Sequence, residues 1–257
     1  MSIQTELTRI TNAKAAIKTA IEGKGVTVPS DTLLDSMASL IESIEAGGGA
    51  TEPYIEEVID GNGDITNATL HGYTIIRNYA FNNCTKLALA SLSSGLTSIG
   101  DNAFTGCTKL ALTSLPSGLT SIGNYAFYRC LELALTSLPS GLTSIGNTAF
   151  SGCTKLALTS LPSSLTSIGN SAFTSCTKLA LTRLPSGLTS IGNNAFYNCL
   201  GLDSLTFEGK PKSISKSAFK ECTNLTTINV PWAPGAVANA PWGAINATIN
   251  YNFTGAG

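Results

Sequence analysis

Apolar residues recur with one period through most of the chain. Phe81, Phe104, Phe127, Phe150, Phe173, Phe196 and Phe219 each follow the last by 23 residues. The same step carries Ile76 to Ile214, Ala80 to Ala218 and Leu87 to Leu225, and all seven cysteines, Cys84 to Cys222, lie three residues after a Phe. Seven 23-residue units follow from this, each with the same inward set. A central unit, Leu156 to Leu179, reads L-A-L-T-S-L-P-S-S-L-T-S-I-G-N-S-A-F-T-S-C-T-K-L. Its LALTSL and SLTSI pieces predict two short strands joined by a Pro-Ser turn. Gly-Asn then leads into xAFxxC, an apolar corner expected to form a helical or 3₁₀ turn with Ala, Phe and Cys facing inward. One unit buries too little to offset its conformational entropy, so the units must stack.

Departures fall at the ends. The first unit has IIRNYAF for SIGxxAF, and the last two replace LALTSLP by LDSLTFE and LTTINVP. Residues 1–46 change character: Ile3, Leu7, Ile10, Ile17 and Ile21 follow a four-three spacing, with Lys14 in the missing slot. They predict an amphipathic helix ending near Gly23-Lys24-Gly25. A second is expected after Pro29-Ser30, with Leu33, Met37, Leu40, Ile41 and Ile44 on one face. The two helices can pack on each other as a hairpin, but stripes this short more often call for a partner helix, so this segment is expected to make a homo-oligomer, with Ile3, Leu7, Ile10, Ile17 and Ile21 as the contact residues. A Gly-rich linker spans 47–53, the solenoid with its N-terminal cap 54–231, and a C-terminal hairpin cap 232–257, with Trp232 and Trp242 over the open apolar edge.

Charge and composition narrow the function. Fifteen basic against sixteen acidic residues give no reason to expect nucleic acid or lipid as partner. The N-terminal MSIQTELTRITNAK lacks the apolar run of a signal peptide, and no stretch approaches a membrane span of about 20 apolar residues; a soluble product made in the cytoplasm is expected. With no CxxC pair and one histidine, His71, zinc spacing fails, and the cysteines read as small buried thiols beside each Phe rather than disulfides. His71 has no nucleophile and acid in a recognisable arrangement, and Glu132, Asp203, Glu208 and Glu221 are scattered rather than paired. Asp60, Asn62 and Asp64 open like a calcium loop, but Ile65 and His71 stand where Gly and Glu are needed; a Gly-rich hairpin turn is expected. No enzyme, cofactor or metal site is read from the chain.

Binding candidates lie where near-identical units differ. Two before each Phe stand Tyr79, Asn102, Tyr125, Thr148, Ser171, Asn194 and Ser217, and just after it the pairs from Asn82-Asn83 to Lys220-Glu221. Tyr79, Tyr125, Tyr128, Arg129 and Tyr197 therefore mark an aromatic-enriched stripe, of residue types common among binding anchors. A second ladder reads Lys86, Lys109, Glu132, Lys155, Lys178, Gly201 and Asn224, and residues 81–221 hold ten bases and five acids. That bias suits a solvated face, or an anionic glycan.

The xxIGxxAFxxCxxL pattern resembles the BspA-like leucine-rich repeats of bacterial and protist surface proteins, the Treponema pallidum type. The resemblance covers about residues 65–231. It implies an α/β repeat solenoid, right-handed with a concave sheet, and a role in adhesion or protein binding, with no shared active site to carry over. TNAKAAIKTAIEGKGVTVPSDTLLDSMASLIESI resembles the N-terminal mounting segment of tail-associated and fibre-like proteins of phages and prophages of gut bacteria. TEPYIEEVIDGNGDITNATLHGYTIIRNYAF resembles their leading cap, and VPWAPGAVANAPWGAINATINYNFTG their ending. These likenesses imply a non-enzymatic virion component that meets tail proteins or a host protein or glycan; a cell-surface BspA-like adhesin is the alternative.

Overall fold

The computed structural model describes residues 54–59 and 64–254. The helices expected over 1–46, with Ile3, Leu7, Ile10, Ile17 and Ile21, and the linker 47–53 lie outside the described residues.

The chain enters through an antiparallel hairpin, β1 (Tyr54–Ile59) and β2 (Ile65–His71), with a register shift at Val58/Ile59. The Gly-rich turn expected at Asp60, Asn62 and Asp64 falls largely on residues outside those described. The hairpin joins the solenoid where the Ala88 N–H donates to the Thr66 carbonyl at 2.9 Å.

Each unit is one coil. A seven-stranded parallel sheet is made of two-residue strands: β3 (Ile75–Ile76), β4 (Ser98–Ile99), β5 (Ser121–Ile122), β6 (Ser144–Ile145), β7 (Ser167–Ile168), β9 (Ser190–Ile191) and β11 (Ser213–Ile214). Their registers pair residues 23 apart, such as Ile122 with Ile145. The isoleucine of each pair is buried, while the preceding residue lies nearer solvent.

LALTSL does not form the predicted strand in most coils. Leu156, Leu158 and Leu161 are its buried residues, and offsets of two and then three break the two-residue alternation a strand requires. Isolated hydrogen bonds between coils remain, as where the Ala157 N–H donates to the Leu135 carbonyl at 3.1 Å. In the variant coils the inward residues are Leu205 and Phe207, then Ile228 and Val230, which alternate properly. There β10 (Ser204–Phe207) and β12 (Thr227–Asn229) form the centre of a second parallel sheet, flanked by the short β8 (Arg183–Leu184) of the preceding LALTRL coil and by β13 (Thr248–Asn250). The terminal variants are thus the units whose second strand is restored.

The xAFxxC corner is not a helix, and the described residues contain none, so the solenoid is β strands and turns rather than α/β. Around Phe127, bonds alternate in direction. Tyr125, Phe127 and Arg129 donate to Asn147, Ala149 and Ser151 of the next coil, each at 2.8 Å, while Tyr128 and Cys130 donate back to Tyr125 and Phe127 at 3.0 and 3.1 Å. The corner thereby satisfies its own backbone and grips its neighbour.

Inside, the seven phenylalanines form one continuous stack, with centroids 5.2 to 5.5 Å apart and planes within 7° of parallel. The C-terminal segment does not fold back as a hairpin. β13 runs parallel to β12, and the Phe219 N–H donates to the Trp242 carbonyl where Phe196 donates to Ala218. The ending is therefore an irregular eighth coil. Its buried Trp232 and Trp242 close on Phe207, with ring centroids 5.3 and 5.8 Å away, and Trp242 Nε1 donates to the Ala238 carbonyl at 2.7 Å.

Candidate functional site

Three side-chain ladders hold the coils together and so fix where variable residues can stand. The first is a cysteine ladder. Sγ of Cys107, Cys130, Cys153, Cys176, Cys199 and Cys222 each donates to the carbonyl of a Phe 26 residues earlier, at 2.9 to 3.0 Å. Burial raises all six thiols, Cys107 to about 12 and Cys222 to about 11, which keeps them protonated and poor nucleophiles. Cys84, on the first coil, is only half-buried.

The second ladder is one the repeat pattern did not reveal as functional. Oδ1 of Asn78, Asp101, Asn124, Asn147 and Asn170 accepts from the backbone N–H of the residue 23 positions later, at 2.6 to 2.8 Å. The glycine before every member but Asn78 permits this approach: a Cβ on Gly146 would fall 2.5 Å from the backbone of Gly123. Arg77 occupies this position in the first coil, where no earlier corner lies beneath it, which explains IIRN at that end. In the third ladder, Oγ1 of Thr97, Thr120, Thr143, Thr166 and Thr189 donates to the threonine carbonyl one coil earlier at 2.9 to 3.3 Å, Thr97 to that of Thr74. Ser98, Ser121, Ser144, Ser167 and Ser190, with the Asn column, line an open groove of about 700 Å³ along the seven-stranded sheet.

The candidate stripe lies on the corners. Tyr79 is 60% and Tyr125 43% exposed; Arg129 is exposed, and Tyr128 and Tyr197 are partly so. Tyr125 and Tyr128 meet edge to face, with centroids 5.9 Å apart, and the Arg129 stem lies over Gly152, whose Cβ would sit 3.4 Å from Arg129 Cγ. Tyr125, Tyr128 and Arg129 are therefore one patch. Tyr79 stands two coils before it and Tyr197 three after, so the five residues are not one contiguous site.

The patch sits on strained backbone. The residues two before and two after the ladder phenylalanine are left-handed: Tyr125 has φ 56° and Arg129 φ 57°. Six of these positions in other coils hold Asn102, Asn194, Asn83, Asn198, Gly106 and Gly152, the residues that tolerate such φ best, while Tyr79, Thr148, Ser171, Ser175 and Glu221 hold the rest. A tyrosine and an arginine there cost about 1–2 kcal/mol each.

The scattered carboxylates stay apart. Glu132 pairs with Lys155, which holds its carboxyl below the ordinary value, and Glu208 lies 3.7 Å from Arg183. Among the described residues no group of three His, Cys, Asp or Glu is placed to hold a metal, and no helix is long and apolar enough to cross a membrane.

A stack of 23-residue coils with Leu, Ile, Phe and Cys ladders inside and variable corners outside defines a leucine-rich-repeat solenoid. The family model of the BspA type leucine rich repeat region matches six copies over residues 74–180 and 143–236, and the chain belongs to that family. It is similar to the crystal structure of the T. pallidum leucine rich repeat protein, at TM-score 0.54 and 30% identity over 67% of this chain and 88% of that one. A leucine rich cell surface protein from Faecalibacterium prausnitzii A2-165 is similar at TM-score 0.46 and 21% identity, over 70% of this chain and 71% of its own. No curated protein matches the chain. Repeat proteins of this kind are typically non-enzymatic binding proteins.

Proposed function

We propose that the chain is a non-enzymatic binding protein of a phage or prophage tail, presenting the Tyr125, Tyr128 and Arg129 patch to a host surface protein or glycan. One observation carries the patch: two bulky side chains are retained on left-handed backbone where Asn or Gly would relieve strain, and with Tyr128 they form a single exposed cluster. The tail context is supported by the terminal segments, whose three likenesses occur in tail-protein order. In this reading residues 1–46 attach and oligomerise the chain, and the solenoid presents the patch.

A cell-surface adhesin is the second reading, favoured by membership of a repeat family that resembles bacterial surface proteins. Mass spectrometry of gradient-purified particles from an induced culture, beside protease shaving of intact cells, separates the two. Recovery at constant stoichiometry in particles supports the tail role; release from intact cells with none in particles rejects it. Binding of the purified chain to host cells tests the patch: Tyr125→Ala with Arg129→Ala is expected to abolish it, and unchanged binding removes the patch from the reading.

A further inference from the structure

The two coils with a tyrosine immediately after the ladder phenylalanine depart from the rest at a second place. After the ladder cysteine stand Thr85, Thr108, Thr154, Thr177 and Thr223 in five coils, but Leu131 and Leu200 in the coils of Tyr128 and Tyr197. Both leucines are open to solvent, at 39% and 36%. In two of the coils this threonine also bonds to its neighbour, Thr108 Oγ1 to the Thr85 carbonyl at 3.2 Å and Thr154 Oγ1 to that of Leu131 at 3.5 Å, a bond that leucine, with no hydroxyl, cannot make. Core packing does not require the exchange, since Leu133 and Leu202 fill the buried positions of those coils.

Two corners of matching composition thus stand three coils apart, separated along the phenylalanine stack by steps of 5.3, 5.5 and 5.4 Å. Between them the same positions hold Ser151, Thr154, Thr174 and Thr177, so two apolar ridges flank a floor of small hydroxyl residues. Charge is one-sided here. Residues 102–202 contain Lys109, Arg129, Lys155, Lys178 and Arg183 against Glu132 alone. Glu132 is taken by Lys155, and among the described residues Arg129, Lys109 and Lys178 have no ion pair.

We infer that the ridges Tyr128/Leu131 and Tyr197/Leu200 form a two-anchor docking surface for an extended acidic segment of a protein, its carboxylates lying toward Arg129 and Lys178. The leucines select a protein over a sugar, because an exposed aliphatic side chain offers a sugar neither a hydrogen bond nor a ring face. An extended strand rises about 3.3 Å per residue, so the anchor side chains are separated by roughly five residues. The inference rests on reading the chain as a binding protein and narrows its partner.

The test is to pan a displayed random-peptide library on the full chain. Enriched peptides are expected to carry Asp or Glu between two apolar residues at that spacing. They should bind about tenfold more weakly to each of two coil-swap variants, Tyr128→Ser with Leu131→Thr and Tyr197→Thr with Leu200→Thr, as expected for loss of one anchor. Both swaps install residues already present in neighbouring coils, and matching thermal melts confirm that they fold. No enrichment, enrichment of basic peptides, or peptides indifferent to both swaps overturns the inference. Loss on the Tyr128 swap alone also ends the two-anchor surface, while leaving the Tyr125 patch standing.

Discussion

Asn147 Oδ1 accepts a 2.7 Å hydrogen bond from the backbone N–H of Asn170, one coil further on. Removing the acceptor leaves that N–H without its partner, so Asn147→Ala is expected to destabilise the solenoid by about 1–3 kcal/mol. Asn147→Asp keeps the oxygen and should cost less, as Asp101 already serves in the same column. Urea unfolding of the two variants checks this; equal losses would show that the bond is not what the position supplies.

Gly146 tests the close approach beneath that ladder. Its φ is not left-handed, so the demand is for space: an added methyl meets the backbone of Gly123 and Asn124 at 2.5 to 2.6 Å. Gly146→Ala is expected to cost at least about 1–3 kcal/mol, as overpacking does, although alanine is ordinarily harmless. Gly141→Ala, whose nearest neighbour is 3.9 Å away, is the matched control and should be close to neutral.

Thr148 is a β-branched residue held at φ 59°. Thr148→Asn is expected to raise stability by about 1 kcal/mol by relieving that conformation. The same exchange at Tyr125 should also stabilise while removing the exposed ring. A rise in melting temperature at both positions, with binding lost at Tyr125 alone, is the expected result.

The buried thiols predict a dependence on alkaline pH. Cys107 ionises near 12 in the folded chain against an ordinary 9.0, so the folded state holds its proton where the unfolded state releases it. Stability is therefore fully present below pH 9 and falls as pH rises from 9 towards 12, by on the order of 1.4 kcal/mol per pH unit for each such thiol. Cys153→Ala should make the decline shallower in urea midpoints measured from pH 8 to 11; an unchanged slope would assign it to other groups. In the native chain alkylation should reach half-buried Cys84 first, and all seven thiols should react after denaturation.

The 23-residue period and its inward columns were legible because Phe, Ile, Cys and Leu each recur at one offset without a slip. The LALTSL strand was misjudged because it is apolar at Leu156, Leu158 and Leu161, which resembles alternation until the third residue breaks it. Leu205 and Phe207 alternate correctly and do form a strand. The eighth coil was hidden by the slip before Trp242 and by the loss of Leu and Cys from its columns. Surface placement of Tyr79 and Tyr125 could be read from variability between units, but their separation into different coils needed the stack. The left-handed corners left a trace in Asn83, Gly106, Asn102 and Asn194, a recurrence of Asn and Gly around Phe that only the backbone angles make intelligible.

Because every coil touches its neighbours through the same ladders, length is a quantity that this chain can change without redesign. Excising residues 124–146 would join Gly123 to Asn147 and leave every column in phase. The loss would be one whole coil, with its own tyrosines, leucine and arginine. Excising 147–169 instead would spare both ridges and shorten the gap between Tyr128 and Tyr197 from three coils to two. Near-identical repeats in a coding sequence recombine in such whole steps, so the molecule can evolve its reach, and the gauge of what it grips, by counting coils rather than by altering any one of them.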